Sequence, residues 1–142
     1  DSIVRGAAPA GCALKQRLSE AGHSVIVLEA GRSNWRPMIH IPAGMVTLLR
    51  WVAGQPWGAA WRDTLPVGGV DGTLARRFKG TSLEGRIFAK TGSLNATHAL
   101  AGYLIAKSGR TLTFAAYAND VPGGASATAP MDAALVAVAE AN

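Results

Sequence analysis

The sequence has little cysteine, little charge and no long apolar run. Its one cysteine excludes an intrachain disulfide framework and a cysteine-rich metal site. Charged residues make up 16% of the chain and hydrophobic residues 49%, so wholesale disorder is excluded and a core can form. No apolar run approaches the roughly 20 residues of a membrane-spanning helix, so we predict no membrane span. A chain of 142 residues has about the length of one domain.

The net charge of +5 favours anionic partners but does not by itself define a function. Four basic residues flank a glycine-rich stretch without interleaved aromatic residues: Arg76, Arg77, Lys79 and Arg86. We interpret them as a solvated charged face and do not predict nucleic acid as a partner. No supporting motif surrounds the three histidines, so we expect packed or surface positions for His23, His40 and His98 and no metal site.

The N-terminal third has the pattern of a βαβ unit. A short apolar run ends at Gly6, apolar residues recur at helical spacing over residues 9–22, and residues 24–28 form a β-branched run. Glycine and proline then interrupt residues 31–72, where only residues 45–52 predict a helix. We expect the tryptophans of this stretch to anchor irregular chain on the core: Trp35, Trp51, Trp57 and Trp61.

The C-terminal part has an antiparallel pattern. Residues 87–90, 100–106 and 111–118 predict strands, and the last of these alternates cleanly between two faces. A Ser-Gly turn joins the last two strands, and Thr128 is predicted to cap a final helix. The expected fold class is α+β, a mixed α/β arrangement in which the βαβ unit joins an antiparallel hairpin sheet with a C-terminal covering helix.

A dinucleotide fingerprint lies between the first strand and the first helix. In such a turn the first and third glycines, here Gly6 and Gly11, shape the phosphate loop, and the acid ending the next strand, Glu29, binds the ribose. The middle glycine is replaced by Ala8, whose methyl group points where the pyrophosphate should lie. This replacement argues against a bound cofactor.

Residues 1 to about 49 are similar to the N-terminal FAD-binding segment of glucose-methanol-choline oxidoreductases. The likeness includes "GAAPAGCALKQRLSEAGHSVIVLEAG" and "MIHIPAGM". It implies that Gly6, Gly11 and Glu29 bind FAD. Ala8, Arg5 and Lys15 depart from the family's pattern, so we predict no resident cofactor.

A Lys-Thr-Gly-Ser segment ends the first predicted C-terminal strand. On an edge strand, the ammonium of Lys90 and the hydroxyls of Thr91 and Ser93 can bind a carboxylate, while Gly92 leaves room for the ligand backbone. The tripeptide alone is common, and its sequence context makes the prediction specific.

Residues from about 51 to the end resemble the C-terminal part of penicillin-binding serine D-alanyl-D-alanine carboxypeptidases. The likeness rests on "QPWGAAWRDTLPVGGVDGTLARRFKGT", "AKTGSL" and "ALAGYL". It implies that Lys90, Thr91 and Ser93 contact the terminal carboxylate of a peptide or β-lactam, and that Gly92 keeps the groove open.

The nucleophile motif of that family is absent from the sequence. No serine is followed three residues later by lysine, and no Gly-x-Ser-x-Gly elbow replaces the pair. We treat Ser93-Leu94-Asn95 as a coincidental match to the family's Ser-x-Asn motif. The resemblance therefore implies weak carboxylate binding without acylation, and we predict no catalytic residue.

The two resemblances meet between residues 48 and 55 and belong to families with unrelated folds. We interpret the chain as a chimera, engineered or recombined, with segments 1–49 and 50–142 packed as one unit. Three hypotheses follow: a carboxypeptidase-like remnant, an FAD- or nucleotide-binding oxidoreductase fragment, and a folded chimera with no enzymatic activity.

Overall fold

The computed structural model describes residues 4–5, 25–30, 40–94 and 96–142. A five-stranded mixed sheet runs through them in the order β1-β2-β5-β4-β3. The strands are β1 (Val4–Arg5), β2 (Val25–Ala30), β3 (Ile87–Leu94), β4 (Thr97–Ile105) and β5 (Thr111–Ala118). The same described residues also form helices α1 (His40–Ala53), α2 (Gly58–Arg62) and α3 (Thr128–Ala141), and a 3-10 turn at Gly72–Leu74. The predicted α+β fold is confirmed.

The antiparallel half of the sheet follows from the alternation in the sequence. Strand β5 has the predicted bounds, and its buried residues Leu112, Phe114 and Ala116 belong to the main core cluster. Strand β3 continues four residues beyond the predicted end, and β4 begins three residues before the predicted start. In the turn between β4 and β5, Gly109 has a φ of 85°, a conformation that favours glycine.

The N-terminal strands join this half in one sheet. Strands β1 and β2 are parallel, as a βαβ unit requires, and β2 is parallel to β5 from Val25 opposite Thr113 to Ala30 opposite Ala118. The predicted helix over residues 9–22 lies outside the described residues.

Helix α1 packs on one face of the sheet. It is longer than the predicted 45–52 helix and runs through the predicted boundary at residue 49. Val46 is buried against Ala115 of β5, and the Tyr103 hydroxyl of β4 donates a hydrogen bond to the Leu49 carbonyl at 2.6 Å. The helix thereby contacts the antiparallel half directly.

Helix α3 covers the opposite face. Its buried residues Met131, Leu135, Val138 and Ala139 belong to the same cluster as Leu100 and Phe114. The predicted Thr128 cap is wrong: the N-cap residue is Ala127, without a side-chain cap bond. Thr128 is the first helical residue, and its backbone N–H donates to the Ser126 hydroxyl at 3.2 Å.

The tryptophans only partly fulfil the expected anchoring role. Trp51 and Trp57 are 58% and 46% exposed and pack edge to face on each other, with ring centroids 5.9 Å apart. The prediction is wrong for these two. Trp61 packs against Tyr103 at 6.1 Å, and Trp35 lies outside the described residues. No helix in the described part of the chain is long and apolar enough to cross a membrane.

Candidate functional site

Strand β3 forms the border of the sheet, and among the described residues only its first half has backbone partners on the outer side. Val67 forms an antiparallel bridge to Phe88, and the Ala89 N–H donates to the Pro66 carbonyl at 3.0 Å. Beyond this bridge the strand continues through Lys90, Thr91, Gly92 and Ser93. The Lys-Thr-Gly-Ser segment therefore lies on a border strand, as the sequence predicts.

A polar cleft of about 240 Å³ opens beside this part of β3. Its walls come from β3, β4, the 3-10 turn, the segment after that turn, and the start of α3. The lining residues are Thr73, Arg77, Thr91, Gly92, Ser93, His98, Ala99, Thr128 and Met131. Residues that carry hydroxyl groups, a guanidinium and an imidazole thus line a common space.

The two predicted hydroxyls of β3 have polar partners in this cleft. The Thr91 hydroxyl donates to the Thr73 hydroxyl at 3.0 Å, which connects β3 to the 3-10 turn. The Ser93 Oγ lies 3.3 Å from His98 Nδ1 on the neighbouring strand. These contacts orient both hydroxyls at the cleft.

Lys90 lies on the opposite face of β3 from these hydroxyls, because successive side chains of a strand point to opposite faces. It pairs with Ala101, which packs in the cluster beneath α1, whereas Thr91 pairs with Leu100, which lies in the cluster beneath α3. The exposed Lys90 ammonium donates to the Thr91 carbonyl at 2.7 Å. The structure therefore brings Thr91, Gly92 and Ser93 together in the cleft, and Lys90 is not part of its lining.

A side chain at Gly92 would contact the neighbouring strand. A Cβ atom built at this position would lie 3.4 Å from the Ala99 Cβ, at the close end of ordinary contact. Both residues line the cleft, and neither carries a side chain larger than a methyl group.

Arg77 and Asp132 were not predicted from the sequence as site residues. The Arg77 Nε lies 3.1 and 3.0 Å from the two Asp132 carboxylate oxygens, and a second guanidinium nitrogen completes the ion pair. Both side chains are mostly buried. The solvated-face interpretation is thus wrong for Arg77, and also for Arg86, whose guanidinium donates to the Ala106 carbonyl at 2.7 Å. No short-range sequence pattern marks the ion pair of Arg77 and Asp132, because the two residues are 55 positions apart.

The predicted FAD residues are mostly outside the described part of the chain. Gly6 and Gly11 are not among the described residues, and Glu29 lies in β2 opposite Tyr117. Strand β2 ends at Ala30, one residue past Glu29. The described residues contain no cluster of histidine, cysteine or acidic side chains that could hold a metal ion.

Comparison with known proteins shows the family to which this chain belongs. The D-Ala-D-Ala carboxypeptidase 3 (S13) family matches residues 9–141, and the chain belongs to that family. A D-alanyl-D-alanine carboxypeptidase of Actinomadura sp. (strain R39) is 36% identical over 120 residues, which cover 81% of this chain and 22% of that protein. The predicted carboxypeptidase resemblance is confirmed.

A solved structure supports the same assignment. The crystal structure of penicillin binding protein 4 (dacB) from Haemophilus influenzae matches with a TM-score of 0.55 at 30% identity, covering 59% of this chain and 19% of that one. The chain therefore spans about a fifth of the length of these relatives.

The second resemblance is also confirmed. An oxygen-dependent choline dehydrogenase of Rhizobium johnstonii is 50% identical over 46 residues, which cover 32% of this chain and 8% of that protein. The carboxypeptidase family match begins at residue 9 and therefore extends across the predicted boundary at residue 49.

Proposed function

We propose that the cleft beside β3 binds the terminal carboxylate of a peptide or β-lactam, weakly and without forming an acyl bond. The observation that supports this most directly is that Thr91 and Ser93 line one cleft together with Arg77. Two hydroxyl donors and a guanidinium are groups that bind a carboxylate well. The family relationship supports the ligand class, because relatives are D-alanyl-D-alanine carboxypeptidases.

The position on a border strand supports a peptide ligand in particular. Beyond the bridge to Val67, an extended ligand can lie along β3 and exchange backbone hydrogen bonds with it. Gly92 has no side chain to block that approach. The backbone of the ligand and its carboxylate would then contact adjacent residues of one strand.

Lys90 contributes through its charge in this proposal. Its exposed side chain reaches a backbone carbonyl on its own strand, and a flexible lysine can exchange that bond for a ligand carboxylate. Because the charge is solvent-exposed, we expect a modest contribution that salt weakens.

The chain contains no Ser-x-x-Lys pair, so its serines lack a lysine that lowers the barrier to attack. Arginine cannot act as that base, because it keeps its proton at all ordinary pH values. We therefore propose that a bound ligand leaves unchanged.

The test is a titration of the isotopically labelled protein with N-acetyl-D-alanyl-D-alanine, followed by NMR. We expect shifts centred on Thr91, Ser93 and His98, with a Kd on the order of 1 mM. The same dipeptide with an amidated C-terminus should bind at least about tenfold more weakly, because it cannot accept charge-assisted hydrogen bonds.

Two threonine variants make a matched pair for this test. Thr91→Val should weaken binding about tenfold, because it removes a hydroxyl that can donate to the carboxylate once it exchanges its bond to the Thr73 hydroxyl. Thr47→Val is the control, since the Thr47 hydroxyl donates to the Ala43 carbonyl within α1, away from the cleft. Equal affinity for the acid and the amide, or equal effects of the two variants, would refute the carboxylate site.

A second candidate is an FAD- or nucleotide-binding module. It is supported by the choline dehydrogenase match and by the parallel pairing of β1 with β2. Purified protein with yellow colour, or a rise in melting temperature on addition of FAD or ADP, would favour it. The replacement of the middle glycine by Ala8 leads us to expect neither.

The third candidate is a chimera, engineered or recombined near residue 49, that folds without any activity. It predicts cooperative unfolding together with negative results for both the dipeptide and the nucleotide. Binding of the dipeptide without binding of the nucleotide would favour our proposal over the inactive chimera.

A further inference from the structure

His98 contacts the proposed carboxylate site but has no role in the function described so far. It pairs with Ser93 across β3 and β4, and its Nδ1 lies 3.3 Å from the Ser93 Oγ. The imidazole is half-buried and lines the cleft together with Arg77 and Thr91. A titratable group therefore lies in direct contact with one of the two hydroxyls assigned to the ligand.

The protonation state of the imidazole determines whether the Ser93 hydroxyl can donate a hydrogen bond to a ligand. A neutral imidazole has one nitrogen without a proton, and when that nitrogen is Nδ1 it accepts the single hydroxyl proton of Ser93. A protonated imidazole carries protons on both nitrogens, so Nδ1 must donate to the Ser93 Oγ. The hydroxyl proton of Ser93 is then available to a ligand.

Among the described residues, the charges near His98 are paired, exposed or on the opposite face of the strand. We therefore expect the charge of His98 itself to have the largest effect on a bound carboxylate. Arg77 lines the cleft, but Asp132 neutralises it. Lys90 lies on the opposite face of β3, and the strand partners of His98, Ser93 and Ala118, carry no charge. Asp120 is exposed and follows β5. The next residue, Val121, donates its backbone N–H to the Ala96 carbonyl in the β3–β4 turn at 2.9 Å, so Asp120 lies near that turn.

We propose that the cleft binds carboxylates in the form in which His98 is protonated, so that His98 acts as a positioning residue that turns the Ser93 hydroxyl toward the ligand. The proposal rests on the proposed function, because it assigns the donor state of the same site. An ordinary histidine changes its charge between about pH 5 and pH 8, whereas a C-terminal carboxylate stays ionised throughout that range. Binding should therefore strengthen as the pH falls from 8 to 5.

The experiment measures the affinity for N-acetyl-D-alanyl-D-alanine at several values between about pH 5 and pH 8. We expect about a tenfold gain over the range, with the uptake of up to one proton on binding. Calorimetry in two buffers of different ionisation enthalpy reports that proton uptake directly. His98→Gln should bind with the same affinity at every pH and take up no proton.

Two further variants separate the hydroxyl step from simple attraction between charges. Ser93→Ala should lose part of the pH dependence, because only the charge of His98 then acts on the ligand. A pH dependence in Ser93→Ala as large as in the unaltered chain would overturn the positioning role. Asp120→Asn is the charge control and should keep the full dependence, and a flat profile in this variant would also overturn the proposal.

The outcomes distinguish this inference from the function on which it rests. If the dipeptide binds equally well across the range, His98 is not part of the site and the inference fails alone. If the dipeptide binds at no pH, the carboxylate site itself fails. Nitrogen NMR of His98 gives an independent check, since a proton resident on Nδ1 in the neutral form would contradict the hydroxyl step.

Discussion

Arg77 and Asp132 form a two-pronged ion pair that joins the segment after the 3-10 turn to the first turns of α3. The Arg77 Nε lies 3.1 and 3.0 Å from the carboxylate oxygens, and the side chains are 16% and 19% exposed. Because Arg77 also lines the cleft, this pair connects the stability of the fold to the charge of the site.

Breaking this pair should destabilise the protein. Asp132→Ala leaves a mostly buried guanidinium without its partner, and we expect a loss of about 2 kcal/mol in the free energy of unfolding. Urea unfolding monitored by tryptophan fluorescence measures it. Asp63→Ala is the control, because its ion pair with Arg62 is more exposed and should contribute less than about 1 kcal/mol. Equal losses in the two variants would contradict the structural role.

The same pair should limit carboxylate binding. Asp132→Asn removes the negative charge that neutralises Arg77 while keeping the shape of the side chain. We therefore expect binding of N-acetyl-D-alanyl-D-alanine about tenfold tighter, although the protein is less stable. NMR titration measures the affinity, with Asp63→Asn as the control. Weaker binding in Asp132→Asn would show that Arg77 does not face the ligand.

Gly102 has no room for a side chain between β3 and β4. A Cβ atom there would lie 2.7 Å from the Ala89 Cα and would also overlap the Phe88 carbonyl oxygen. Gly102→Ala should therefore cost about 3 kcal/mol or more. Gly44→Ala in α1 is the matched control: it meets nothing within 4 Å and should add about 0.5–1 kcal/mol. Thermal unfolding of both variants measures these changes in stability. A Gly102→Ala variant as stable as the unaltered chain would contradict the pairing of β3 with β4.

Tyr103 should make stability decline in alkali. Burial raises the pKa of Tyr103 above its ordinary value, an effect that the nearby Arg62 partly opposes. Its contribution is fully present below about pH 10, where tyrosine is neutral in both states, and is lost as the pH rises toward the raised folded pKa. Urea unfolding from about pH 8 to pH 11 should show this decline.

Tyr103→Phe should be about 1 kcal/mol less stable near neutral pH, because the hydroxyl bond to the Leu49 carbonyl is lost. Its decline above pH 10 should be shallower than in the unaltered chain. A residual decline is expected, since burial also raises the pKa of Tyr117. Parallel curves for the two proteins would rule out Tyr103 as the source.

Local patterns predict the antiparallel part of the fold well. The alternation of Leu112, Phe114 and Ala116 defines β5, because a strand that is buried on one face repeats every second residue. The helix ends are harder to predict, as Thr128 shows. A hydroxyl at a suitable position does not cap the helix when the chain turns one residue earlier.

The site was predicted only along one strand. The positions of Thr91, Gly92 and Ser93 follow from the Lys-Thr-Gly-Ser segment, but the cleft also needs Arg77 and His98. Arg77 depends on a partner 55 residues away, and the role of His98 depends on the register that places it opposite Ser93. Neither relationship leaves a short-range signal in one sequence.

Incubation with benzylpenicillin, followed by intact-mass measurement, tests whether this chain binds a carboxylate without becoming acylated. An acylating penicillin-binding protein of the same family serves as the positive control. We expect an unchanged mass for this chain, together with NMR shifts at Thr91 and Ser93. A stable mass increase equal to one penicillin molecule would show that the chain is acylated and would refute binding without acylation.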